Sequence, residues 1–388
     1  MRILIHMGDP YSMNNPCTKR MRAFRDEFIA NGHEVVIMAP KTEGVEQEDY
    51  VTYCPTIALK KKTTIFRLLN SMCFALSSVL YSLKVGRTDV VITTCPPPLI
   101  NMAGWLIAKI KSAKLIYDVR DIWPDVALEM GSFSEKSLYS KVFAFIRNFM
   151  LKHSDLTVAV SNGKVKNLMQ YVNNIACTDI LNGFDNKFLN NEMNPKLRDK
   201  YADSNAFKCV YIGNLGLAQG LHQLLRIAEK AQEQKLKAEF YLYGSGAEEE
   251  ELKQYVKEHE LHNVFFEGRL PNADMFTVLK SVDMSFVSLV NGNLKDSVPT
   301  KLYEALGVGC PVLLAAEGDS ADILRESKLG ITVKPNDEIE LWNGFMNLYE
   351  NIDKYREYTV YAQKLMQGKY SRQAASVKMM REIEKILT

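Results

Sequence analysis

The sequence predicts an α/β protein made of two doubly wound, Rossmann-like domains in tandem. Three observations carry this. The chain has 388 residues, enough for two or three domains at about 150 residues each. Short aliphatic runs alternate with amphipathic helical stretches, and the runs are continuous, as parallel strands buried on both faces are. The pattern breaks once, around 182–200, and then begins again. Composition agrees with this: 47% apolar and 24% charged residues exclude a disordered chain, a collagen-like repeat and a small disulfide scaffold. A net charge of +2, from 48 basic and 46 acidic residues, gives no reason to expect nucleic acid as a partner.

The first strand is Ile3-Leu4-Ile5, ending in a turn at Gly8. The stretch from Met1 to Gly8 is too short for a signal peptide and has no cleavage site. Further strands are expected over 34–38, 90–93, 114–117 and 156–160, with helices near 18–31, 65–84, 99–112, 135–152 and 161–171. In the helix at 65–84, apolar positions 65, 68, 69, 72, 76, 79, 80 and 83 form one stripe, and 67, 71, 78 and 82 a polar one. The expectation is that the apolar stripe faces the core; a membrane span is disfavoured, and lying on a membrane surface is the variant. The turn Asn182-Gly183-Phe184-Asp185 and the polar stretch through Asn190, Asn191, Asn194 and Pro195 place the domain boundary. Strands then follow over 208–212, 239–243, 264–266, 284–287, 312–314 and 331–333. The domains are thus 1–185 and 186–370. Residues 371–388 form a last helix, with Ala375, Val377, Met380, Ile383 and Ile386 positioned to pack back on the first domain. The seven cysteines show no metal or redox spacing, and their odd number fits reduced thiols in a cytosolic protein. His259 and His262 have no third ligand, so no metal site is expected.

The most informative segment runs from Asp296-Ser297-Val298-Pro299-Thr300-Lys301 through Glu304 to Gly309-Cys310-Pro311-Val312. It reads as a loop feeding a helix that starts near Thr300, with proline suited to the first turn. Open amides at such a start attract phosphate, and Lys301 adds a fixed cation. Glu304, one turn inside, can reach ligand hydroxyls. An ordinary loop-helix-strand with a surface glutamate fits the same residues. A second segment, Gly213-Asn214-Leu215-Gly216-Leu217-Ala218-Gln219-Gly220, is a strand-to-helix turn whose glycines let backbone amides approach an oxyanion; turn packing explains it equally well. Tyr243-Gly244-Ser245-Gly246 is a third turn. It is not the dinucleotide fingerprint, because Glu249 holds the last position, and a nicotinamide or flavin enzyme is therefore disfavoured.

With these motifs in hand, the chain resembles the retaining glycosyltransferases of family 4, which have the GT-B fold of two Rossmann-like domains facing a central cleft. Pro299-Thr300-Lys301 with Glu304, the glycine turn from Gly213 to Gly220, and Asn182-Gly183-Phe184-Asp185 carry the likeness. In the first half, Asp118-Val119-Arg120-Asp121-Ile122-Trp123-Pro124-Asp125 looks like the subgroup that builds bacterial capsule, O-antigen and exopolysaccharide units. The resemblance implies that Glu304 holds the donor ribose. Asp296 stands where glutamate is usual and faces the donor sugar. Ser297, Val298, Pro299, Thr300 and Lys301 embrace sugar and diphosphate. Gly213 and Gly216 form the phosphate-facing turn, with Asn214 and Gln219 where basic residues are common. Arg269, at a strand end, meets the nucleobase. On the acceptor side, Arg120 fills a position often held by histidine, Asp121 orients the acceptor or instead pairs with Arg120, and Trp123 stacks on a sugar or simply packs. Gly8, Asp9 and Asn15 flank the loop that faces the donor, with Asn14-Asn15 replacing paired glycines.

The reaction this implies transfers a sugar from a nucleotide diphosphate, on the subgroup's habits a UDP-linked N-acetylated sugar, to a polyprenyl-diphosphate-linked or soluble glycan acceptor. Configuration is retained, and neither cofactor nor metal is needed. Asp121, Lys301 and Glu304 are the candidate catalytic residues. The protein is expected in the cytoplasm, with Lys19, Arg20, Arg22 and Arg25 and the run Lys60, Lys61 and Lys62 offered to an anionic membrane surface on its inner face. Two other readings share the architecture: a nucleotide-sugar 2-epimerase, which would need no acceptor, and a non-catalytic sugar-binding protein, which would show no turnover.

Overall fold

The computed structural model describes all residues except Asn14, 42–47, 58–63, 130–133 and 292–293, and the backbone alone at 64–65. Asn14, Lys60, Lys61 and Lys62 thus lie outside the described residues. The chain forms two compact units, Met1–Asn182 with Arg372–Thr388, and Gly183–Ser371. The division falls three residues before the 185/186 boundary expected from the polar stretch, because Phe184 belongs to the second unit. Its backbone N–H donates to the Tyr370 carbonyl at 2.7 Å. Its ring lies where a Cβ on Gly307 would stand 2.4 Å from Cε2.

In the first unit, strands β1 (Arg2–His6), β2 (Glu34–Pro40), β3 (Val51–Cys54), β4 (Val90–Cys95), β5 (Lys114–Val119), β6 (Leu156–Ala159) and β7 (Cys177–Asp179) form one parallel sheet. Their order is β3-β2-β1-β4-β5-β6-β7. In the second, β8 (Phe207–Ile212), β9 (Ala238–Tyr243), β10 (Val264–Gly268), β11 (Met284–Ser288), β12 (Val312–Ala315) and β13 (Gly330–Val333) run β10-β9-β8-β11-β12-β13, again all parallel. Each sheet reverses its winding beside its first strand, at β1/β4 and at β8/β11. Ligands of doubly wound sheets bind beyond the carboxyl ends of the strands at such a point.

Helices Pro16–Ala30 and Arg372–Leu387 cover one face of the first sheet, burying Met21, Phe24 and Phe28 with Met379, Met380 and Ile383. Helices Thr64–Ser82, Leu99–Lys111 and Leu138–His153 cover the other. The first of these reverses the expected orientation. Phe74, Ser78 and Ser82 are buried, while Leu69, Met72, Leu76, Leu80 and Leu83 face outward. The cause is a polar partner in the sheet. His6, wholly buried on β1, has Nε2 3.0 Å from the Ser78 hydroxyl and Nδ1 3.2 Å from that of Thr93, and its ring stacks on Phe74 at 5.2 Å. Burial holds the imidazole neutral, with its pKa down at about 3.

The helix-one cations do not form the expected free patch. Arg20 is buried and bonds Asp118 through Nη2 at 2.9 Å and the Leu181 carbonyl through Nη1 at 2.8 Å. Arg22 donates to the Tyr11 carbonyl, and Arg25 lies over the Tyr50 ring. A buried carboxylate demands such pairing, since desolvating a lone charge costs several kcal/mol, on the order of 3–5.

Candidate functional site

In the second unit, three loops are laced together at the carboxyl edge of the sheet. The Gly213 N–H donates to the Tyr243 carbonyl (2.9 Å), Leu215 N–H to Ser245 (3.1 Å) and Gly244 N–H to Gly268 (2.7 Å). The lacing needs glycine. Gly244 has φ +145°, and a Cβ there would sit 1.7 Å from the Gly213 carbonyl oxygen. After Gly213 the chain turns through Gly216 into the short 3-10 turn Leu217–Gln219, and helix His222–Glu233 follows.

The helix Thr300–Val308 starts directly after Pro299, which as the N-cap residue offers no side-chain capping bond. Its other face is anchored by buried Leu302, Leu306 and Val308, and Gly309 closes it in the left-handed conformation at φ +87°. The loop before it is fixed from below: the Ser320 hydroxyl donates to the Ser297 carbonyl at 2.5 Å, and Val298 is buried. Asp296, Ser297, Pro299, Thr300 and Glu304 are all partly exposed along this segment.

Lys301 joins the two motifs. Its ammonium donates to the Tyr211 hydroxyl (2.7 Å) and to Gln219 Oε1 (2.6 Å), and lies 4.1 Å from the Tyr211 ring centroid. A Cβ on Gly213 would stand 2.9 Å from Nζ. The Tyr211 hydroxyl in turn donates to the Asn214 carbonyl at 2.7 Å. Lys301 is therefore no fixed cation. Burial of the amine brings its pKa down to about 7, and the Glu304 carboxylate opposes that shift only in part. Gly213, Asn214, Gln219 and Lys301 thus meet at the end of β8. Arg269 lies on the same edge, exposed, its Nε donating to the Ser245 hydroxyl at 2.7 Å. Tyr211 was missed as a site residue. The available signal was a hydroxyl two positions before the glycine turn.

In the first unit, Gly8 packs on Pro97, where a Cβ would meet Cδ at 2.5 Å. Asn15 caps helix Pro16–Ala30, accepting from the Thr18 N–H at 2.9 Å. Arg120 pairs with Asp9 at 3.3 Å, donates to the Thr94 hydroxyl at 3.1 Å and to the Pro96 carbonyl at 2.7 Å. Its partner is Asp9, not Asp121. The Asp121 side chain is partly exposed, and among the described residues nothing bonds its carboxylate. Trp123 packs edge-on against Phe143 at 5.6 Å, with its Nε1 buried and unpartnered among the described residues. Among the described residues, no three His, Cys, Asp or Glu side chains are grouped to hold a metal ion.

Residues 193–365 match the family described as glycosyl transferases group 1, which spans most of the second unit. The probable glycosyltransferase WbjE of Pseudomonas aeruginosa is 24% identical over 276 residues, 69% of this chain and 67% of that protein. The putative colanic acid biosynthesis glycosyl transferase WcaI of Escherichia coli K12 is 25% identical over 323 residues, 75% and 77% of the two chains. The group 1 glycosyl transferase match thus lies within the second unit, and both relatives are named as glycosyltransferases. The chain shares the GT-B fold with the sucrose-phosphate synthase of Thermosynechococcus elongatus, at TM-score 0.81 and 17% identity over 99% of both chains. It is also similar to Anabaena Alr3699/HepE, solved in complex with UDP-glucose, at TM-score 0.74 and 15% identity over 99% of both.

Proposed function

We propose that this chain is a glycosyltransferase that moves a sugar, with retained configuration, from a UDP-linked N-acetylated sugar to a polyprenyl-diphosphate-linked or soluble glycan acceptor in bacterial surface-polysaccharide synthesis. One observation carries the donor assignment. The glycine turn after β8 and the start of helix Thr300–Val308 meet at the β8/β11 switch point, with Lys301 between them. Backbone amides and an ammonium in that arrangement suit a diphosphate. Glu304, one turn further, takes the ribose hydroxyls. Asp296 and the amides of Val298 and Thr300 take the sugar, and Arg269 meets the base. WcaI by its name, and Alr3699/HepE by the UDP-glucose it was solved with, support the polysaccharide and the UDP-sugar parts of this reading.

The chemistry follows from positioning. The bond between the anomeric carbon and the diphosphate oxygen breaks, and the acceptor oxygen bonds that carbon from the same face. The acceptor proton passes to the departing phosphate oxygen, so no protein nucleophile is required. Helix amides and Lys301 stabilise the charge that gathers on the diphosphate. Metal enters no step. Asp121 and Arg120 orient the acceptor.

Calorimetric titration with UDP and with GDP, free of metal, tests the donor assignment. UDP should bind more tightly than GDP, and Glu304→Ala should weaken UDP by about 1–2 kcal/mol, the worth of its hydrogen bonds to ribose. Binding indifferent to Glu304 would sink the assignment.

A further inference from the structure

The second sheet has two ends, and only the carboxyl end takes part in the donor assignment. At the amino end a cavity of about 430 Å³ opens where β8, β9 and β10 begin. That volume suits a small ligand. Leu236, Ala238 and Phe265 give the cavity an apolar lining. The Phe265 ring stacks on Tyr241, its register partner on β9, with centroids 5.1 Å apart, and is still 37% exposed. A ring backed in this way is a rigid platform whose second face is left for a ligand.

Hydrogen-bond capacity selects the ligand. Glu239 lines the cavity with its carboxylate already oriented: the Ser204 hydroxyl donates to Oε1 at 2.8 Å and the Tyr241 hydroxyl to Oε2 at 2.7 Å. Each oxygen keeps a lone pair for a further donor. Asn263, also in the lining, donates from Nδ2 to the Ala228 carbonyl at 2.8 Å, and its Oδ1 is buried without a partner among the described residues. A buried acceptor in that state calls for a donor. On the rim Asn205, Lys237 and His262 are exposed, and among the described residues their side chains have no hydrogen-bond or ionic partner. The lining therefore fits a molecule that brings hydroxyl donors to Glu239 and Asn263, oxygen acceptors to the rim, and a C–H face to Phe265. One pyranose ring carries all three. A phosphate or carboxylate has no donor for Glu239 and is repelled by it.

We propose that this cavity is a glycan-binding site, separate from the transfer site, that takes an uncharged saccharide of one or two rings. It is independent of the donor assignment, because its readout is binding without turnover.

The test is saturation-transfer NMR of the full chain with cellobiose, lactose and N,N′-diacetylchitobiose as probes. At least one should bind at millimolar concentration and stay bound in excess UDP. Phe265→Ala should weaken that binding about tenfold, and Phe265→Trp should keep it. Asn205→Ala combined with Lys237→Ala should weaken it about threefold or more without moving the thermal midpoint, since both residues are exposed. Binding of none of the three probes overturns the proposal, as does binding that UDP displaces or that both the Phe265→Ala and the rim variants leave intact. A nucleotide whose binding falls with Phe265→Ala would give the cavity to another ligand. A dimer that the same substitution dissolves would give the edge strand β10 to a second copy. Either result also overturns the proposal.

Discussion

Nucleotide binding should draw a proton onto Lys301. In the ligand-free site burial brings its amine to about 7, against about 10.4 in water. A diphosphate beside the ammonium favours the charged form and should return the pKa above about 10. Above pH 7 the site must then take up a proton before it binds, at about tenfold in affinity per pH unit. With half the sites charged at pH 7 and roughly one in a hundred at pH 9, affinity should fall about fiftyfold, or ~2.3 kcal/mol. The assay is calorimetric titration with a UDP-sugar, whose diphosphate diester does not titrate in this range. Run at pH 8, below the ionisation of the uracil imide, in two buffers of different ionisation enthalpy, it reads the proton uptake directly, and the expected value is about 0.9. Lys301→Met should bind weakly, with no pH slope and no uptake. An affinity flat from pH 7 to 9, or a methionine variant that binds like wild type, would refute the reasoning.

His6 is buried and neutral with its pKa at about 3, so the unfolded chain binds a proton below about 6.5 that the native state refuses. Its contribution is complete above pH 6.5 and lost from there down to about 3, by up to ~5 kcal/mol, and His6→Gln should flatten the acid limb of the stability profile relative to wild type. Arg20→Met strands the buried Asp118 carboxylate and should cost the first unit about 3–5 kcal/mol in urea denaturation, while adding Asp118→Leu should recover most of it. Gly244→Ala drives a methyl against the Gly213 carbonyl. It should cost about 1–3 kcal/mol and remove the rise in melting temperature that UDP gives the wild type.

The central strands of both sheets were legible because parallel strands covered on two faces are written as unbroken aliphatic runs. The edge strands β3 and β7 were not. Val51–Cys54 and Cys177–Asp179 carry no such run, and the middle residues of β3 and all three of β7 are only half-buried. The periodicity of 65–84 was read correctly as a stripe, but its direction was not. A stripe says which residues share a face, and only a distant partner says which face turns inward. Here that partner is His6, 72 positions from Ser78. The same limit applies to Arg20, whose partner Asp118 lies 98 positions away and turns a residue of a basic run into a core residue. In the site, the meeting of Lys301 with the Gly213 turn follows from the order of strands, which places β8 beside β11. The charge state of Lys301 was hidden, because the Tyr211 ring beneath it comes from β8, 90 positions away in the chain.

The first unit is discontinuous in the chain, and that bears on how it is made. Met379, Met380 and Ile383 close over Met21, Phe24 and Phe28, yet more than half the polypeptide is translated between the two sets. During vectorial synthesis the amino-terminal sheet waits, with one flank covered by helix Pro16–Ala30 alone, until residues 372–388 have left the ribosome. The second unit, uninterrupted from Gly183 to Ser371, has every residue it needs before then. The unit that starts first therefore finishes last, and a message cut short between residues 182 and 372 yields a product whose uncovered Phe24 and Phe28 mark it for chaperones and proteases rather than for catalysis.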